Sequence, residues 1–125
     1  MITREIPQDQ WMPFLNDFSR RHQGERVTVE VLEGEAGIHA LATDVPLVGI
    51  TDDPKNSEGE MIEVMAGDSP DNQMTHDIRR PCCVRLATAD DGRDVAVEIE
   101  SSAMPRTIIR FGGPEWPEMY GPRAS

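Results

Sequence analysis

Three histidines, a pair of adjacent cysteines and an acid-rich loop are the residues of this chain whose types could do chemistry. His22, His39 and His76 are far apart in sequence. None stands at a helical i, i+4 pair or beside a second ligand at the spacing that a zinc site requires. His76 is the best placed to act: with Met74 and Ile78 it takes the apolar parity of a candidate strand, while Thr75 and Asp77 point the other way. A histidine there is either a hydrogen-bonded core residue or a general base at a pocket rim, and no serine or carboxylate is placed by sequence to be its partner. His22 is expected in the last turn of a helix, as a surface group whose charge suits the helix dipole.

Cys82 and Cys83 lack the CxxC spacing of redox pairs, and neighbours on a strand face opposite ways, so one core thiol and one peripheral thiol are expected. Cys83 shares its parity with Arg85, and Cys82 with Val84 and Leu86, which makes Cys83 the expected reactive thiol. Asp52, Asp53, Asn56, Ser57, Glu58 and Glu60 offer hard oxygen ligands, but Pro54 occupies a position where a calcium loop needs one. A solvated acidic loop is expected instead. Asp90, Asp91, Glu98 and Glu100 read as the polar faces of a turn and a strand, since paired carboxylates do acid and base work only when burial splits their pKa values. The phosphate-loop, GxGxxG, GxSxG and HExxH signatures are absent. These observations give no metal, no cofactor and no catalytic residue beyond the weak candidate His76.

The chain of 125 residues is long enough for one core and too short for two separate globular units. Twelve basic residues against 23 acidic ones leave a net charge of -11, which repels nucleic acid at long range. Residues 1–7 carry Arg4 and Glu5 without an apolar run, and nowhere do 18 consecutive apolar residues occur. Neither a signal peptide nor a membrane span is expected, and the cytoplasm is the default compartment.

The elements that must position these residues follow from periodicity. Trp11, Phe14, Leu15 and Phe18 lie at i, i+3, i+4, i+7 and form one helical face, with Pro13 in the first turn and Gly24 as the stop. After Gly24 the period becomes 2. Val27, Val29 and Val31 begin a series of short strands: residues 38–50 bent at Pro46, then 61–65, 73–78 and 82–88. Asp90-Asp91-Gly92 is a hairpin signal into Val95, Val97 and Ile99, and residues 107–111 close the set. With no second helix to make parallel crossovers, the sheet must be antiparallel. The expected fold is α+β, mainly β: an N-terminal amphipathic helix packed on a strongly bent antiparallel sheet or a small barrel. Residues 1–111 form this single domain. Residues 112–125 form a Pro- and Gly-rich tail in which Trp116, Met119 and Tyr120 are candidate interaction residues.

The opening Ile2-Thr3-Arg4-Glu5-Ile6-Pro7, then Trp11, Phe14 and Phe18-Ser19-Arg20-Arg21-His22, resembles a family of small bacterial domains of unknown function that begin this way. Pro46-Leu47-Val48-Gly49-Ile50 and Thr75-His76-Asp77-Ile78 are similar too. The resemblance spans about residues 2–111 and implies no activity and no functional residue. In element order alone, a helix followed by short bent strands also resembles Sm-like or SH3-like barrels, folds that host unrelated functions. The expected function is a non-catalytic binding or regulatory module that engages another protein, or a second copy of itself, through an acidic surface or a sheet edge. The rival expectation is a small-molecule pocket, or a minor enzyme, with His76 at a cleft between helix and sheet.

Overall fold

The structure, a computed structural model, describes residues 1–55, 57 and 59–111. It comprises β1 (Ile2–Ile6), a 3-10 turn (Gln8–Gln10), α1 (Trp11–His22), β2 (Arg26–Leu32), β3 (Ile38–Asp53), β4 (Met61–Gly67), β5 (Gln73–Arg79), β6 (Pro81–Thr88), β7 (Asp94–Ser101) and β8 (Arg106–Phe111). Pro13 is the third residue of α1, where its missing N–H costs no helical bond. The helix ends two residues before Gly24, which takes a φ of 88° that disfavours side chains. Trp11, Leu15 and Phe18 are buried, and Phe14 is half-buried.

The strands form one antiparallel sheet in the order β1-β6-β7-β8-β2-β3-β4-β5. β3 joins its two halves: residues 38–46 pair with β2, and residues 47–53 pair with β4. Asp44, at φ 54°, and Pro46 mark the bend between them. Beyond the bend β2 no longer flanks β3, and α1 takes its place. The Ser19 hydroxyl accepts the Ile50 N–H at 2.8 Å and donates to the Ile50 carbonyl at 2.9 Å. Gly24 N–H reaches the Leu47 carbonyl, and Leu47 N–H the Glu25 carbonyl, both at 2.8 Å. A helix thus satisfies the polar groups that a bare strand edge leaves open.

The small half of the sheet folds over the large one, so that Ile62, Val64, Ala66 and Ile78 share a core with Val27, Val29, Val84, Val97, Ile99 and Ile109, closed by Trp11, Leu15 and Phe18 from the helix. Of the two expected forms, the bent sheet is the one adopted. No barrel closes: β1 and β5 remain the two ends of the strand order, with His76 of β5 reaching the Thr107 hydroxyl of β8.

The opposite face of the large half carries a second small cluster of Ala87, Ala96 and Ile108. The cross-strand register puts Glu30, Arg110 and Glu98 on this face as well. Glu30 accepts from Arg110 Nε at 3.3 Å, and both are buried. Glu98, expected to be a solvated strand residue, is also buried: Arg85 at 3.3 Å and Arg106 at 2.9 Å supply the countercharge that lets it leave water.

Candidate functional site

His76 lies on the inward parity of β5 with Met74 and Ile78, as the alternation predicts, and is half-buried. Its Nε2 stands 3.1 Å from the Thr107 hydroxyl of β8. Burial pushes the imidazole below its ordinary pKa, against the opposing pull of the Asp77 carboxylate. The residue therefore sits between two strands rather than between helix and sheet, and it lines none of the cavities described below. His39 is exposed and pairs with Glu33 at 3.2 Å. Trp116, Met119 and Tyr120 lie outside the described residues.

His22 is not the free surface group that its place in the helix suggested. Its Nδ1 is 3.0 Å from Glu25, its Nε2 is 2.8 Å from Asp94 at the start of β7, and its ring packs against Phe18 and Phe111 at 4.6 and 4.5 Å. Arg21 bridges the same Asp94 to Asp17. This cluster fastens the end of α1 to the sheet. The partner Asp94 is 72 residues away, and helical spacing alone does not reveal it.

The cysteine assignment is reversed. Pro81 pairs with Ser101 and Cys83 with Glu100, so Cys82 is the extra residue of a β-bulge and turns outward. Cys83 does face Arg85's side of the sheet, but it is buried. Burial raises its thiol pKa, and so do the nearby Glu5 and Glu100, against the opposing guanidinium. Cys82 is exposed. Brief alkylation of the native protein, mapped by mass spectrometry, is therefore expected to modify Cys82 first; equal or preferential labelling of Cys83 contradicts the bulge.

The acidic loop holds a group that sequence reasoning took as solvated. Asp52 continues the inward parity of Ile50 and is only 6% exposed. Burial, then a hydrogen bond with Glu60 and its charge, then the charge of Asp53, raise its pKa to about 7. Its Oδ1 has no hydrogen-bond partner among the described residues, while Glu60 accepts from Gln8 Nε2 at 3.1 Å. Residues 51–55, with Met12, Met61 and Glu63, line a cavity of about 480 Å³ between the start of the helix and the end of the β3–β4 hairpin. Among the described residues no three His, Cys, Asp or Glu side chains gather to hold a metal ion.

The first half of β3 has a different character. One of its edges pairs with β2, and the other meets no strand among the described residues, because β4 begins to pair only at Leu47. Ile38 and Leu41 are 37% and 41% exposed there, among the few large apolar side chains of the described residues left in water. Two irregularities interrupt the strand: Leu41 is an extra residue against β2, and a second falls at Thr43 or Asp44. Leu41, Ala42 and Val45 line a groove of about 260 Å³ whose far wall is Ala66, Gly67, Met74 and the β4–β5 turn. At the other end, Ile38 and Leu32 border a second cavity of about 480 Å³ with Glu100 and Arg106. The result is an open backbone edge with a pocket of mixed polar and apolar lining near each end.

In comparison with known proteins, the chain is 25% identical over 111 residues to an uncharacterized protein of Aquifex aeolicus (strain VF5), covering 89% of this chain and 93% of that one. No solved structure matches. Residues 2–119 match the family of unknown function DUF5335, so the match runs from the first strand to beyond the last described one, and the chain belongs to that family.

Proposed function

We propose that this domain is a non-catalytic binding module that takes up an extended segment of a partner protein as an added strand along residues 38–44 of β3. The observation that carries the reading is that the second edge of those residues pairs with no strand among the described residues, with Ile38 and Leu41 exposed beside it. Strand addition draws affinity from main-chain hydrogen bonds and specificity from pockets for alternate side chains, and this edge is flanked by such pockets. The bulges at Leu41 and at residues 43–44 blunt indiscriminate pairing, since a regular flat strand does not match their twist.

A short peptide with a Val-Thr-Val-Thr-Val core and serine flanks, added in excess, is expected to slow amide hydrogen exchange at residues 38–44. Leu41→Lys is expected to abolish that protection while leaving the thermal midpoint close to wild type, because the side chain is already exposed. Unchanged exchange at residues 38–44 at saturating peptide rules the reading out.

The cavity beside Asp52 favours a second reading, a small-molecule pocket between helix and sheet whose titratable group is Asp52 rather than His76. Amide shifts confined to residues 51–55 on titration with a fragment library support it; their absence removes it.

A further inference from the structure

We infer that the segment added to β3 belongs to a different protein and carries basic residues at both ends of an apolar core; this rests on the strand-addition reading above. The acids around the edge decide the matter. Glu33 and Glu35 stand just before the strand, Asp44 lies at its bend, and Asp68 and Asp71 border the β4–β5 turn, with Asp71 in the wall of the groove beside Leu41. The cations near them are largely committed. Arg26 pairs with Asp44 at 3.3 Å, and Arg106 is held by Glu98 and Glu100. Among the described residues, neither Asp68 nor Asp71 nor Glu35 meets a cation.

A second copy of this chain is the occupant that such a surface rejects. Antiparallel pairing of two β3 edges about a two-fold axis brings the Glu33 and Glu35 end of one copy towards the Asp44 and Asp71 end of the other. It does so at both ends at once, between chains that each carry -11. Opposed like charges disfavour association, whereas a partner with Lys or Arg on either side of an apolar stretch is steered in and held in register. Exposed Ile38 and Leu41 supply the apolar contact that the core of such a segment needs.

The test uses the full chain and two peptides that share the Val-Thr-Val-Thr-Val core, one flanked by lysines and one by glutamates. Affinity is read by titration at low and at high salt, and position by hydrogen exchange. The lysine-flanked peptide is expected to bind roughly tenfold or more tightly than the other at low salt, the gap narrowing as salt rises, with protection at residues 38–44 in each case. Asp68→Asn combined with Asp71→Asn is expected to shrink the gap. Equal affinity of the two peptides at low salt overturns the basic partner while leaving strand addition in place. No protection of residues 38–44 by either peptide overturns both. A peptide-free dimer in sedimentation at low salt, with residues 38–44 already protected, overturns the choice of occupant in favour of a second copy.

Discussion

Truncating Phe18 to Ala is expected to cost about 3–5 kcal/mol of stability, the range for emptying a fully buried aromatic site. Phe18 is 0% exposed, and its ring lies 5.9 Å from Phe14, 5.6 Å from Phe111 and 4.6 Å from His22. It therefore joins helix, sheet and the His22 cluster at one point. A loss of this size is a large part of the roughly 5–15 kcal/mol that holds a small domain together. Phe14→Ala, at a half-buried site, is the internal comparison and is expected to cost clearly less. Urea unfolding of the two variants measures the difference. A Phe18→Ala protein within about 1 kcal/mol of wild type shows that the helix is peripheral to the core.

Asp52→Asn is expected to act in the opposite direction and to depend on pH. The Asp52 pKa of about 7 in the folded protein stands above the ordinary 3.8, so the folded state holds its proton where the unfolded state has released it. The favourable contribution is complete below pH 3.8 and is lost as pH rises towards 7. The full shift corresponds to about 4 kcal/mol, and relaxation around the carboxylate reduces the measurable share to about 2 kcal/mol. Asparagine keeps the shape and removes the titration. Its stability relative to wild type should climb between about pH 4 and 7 and level off above that, leaving the variant the more stable protein at pH 8. His76 contributes with the opposite sign, since its depressed pKa costs stability as pH falls below 6.5, but it is common to both proteins and cancels in the difference. Parallel pH profiles for the two proteins refute a shared proton at Asp52.

The helix was legible because one stripe of large apolar residues can be buried in only one way, and the Val27-Val29-Val31 alternation was legible for the same reason. β1 was not, since four of its five side chains are exposed and its pairing to β6 leaves no periodic trace. The bend at Pro46 was anticipated, but not that one strand would serve both halves of the sheet, which depends on a helix replacing β2 beside Ile50. The shared parity of Cys83 and Arg85 was legible, but the burial of Cys83 was not, nor the outward turn of Cys82, because a bulge inserts one residue without a sequence mark. Asp52 failed for a related reason. An aspartate among aspartates looks solvated until the fold closes the end of α1 and Glu60 around it. The open edge at residues 38–44 is a property of topology, and composition shows only that Ile38, Ala40, Leu41 and Ala42 carry no charge.

The pairing of β1 with β6 also sets a timetable for synthesis. Ile6 is made roughly 80 residues before its partner Val84. At about 5–20 residues per second, this separates the two by roughly 4–16 s. Over that interval the nascent chain presents β1 unpaired, while α1 already has its seat beside β3 at Ile50. The large half of the sheet is consequently completed only once β6, β7 and β8 have been made, and β1 waits throughout for its partner.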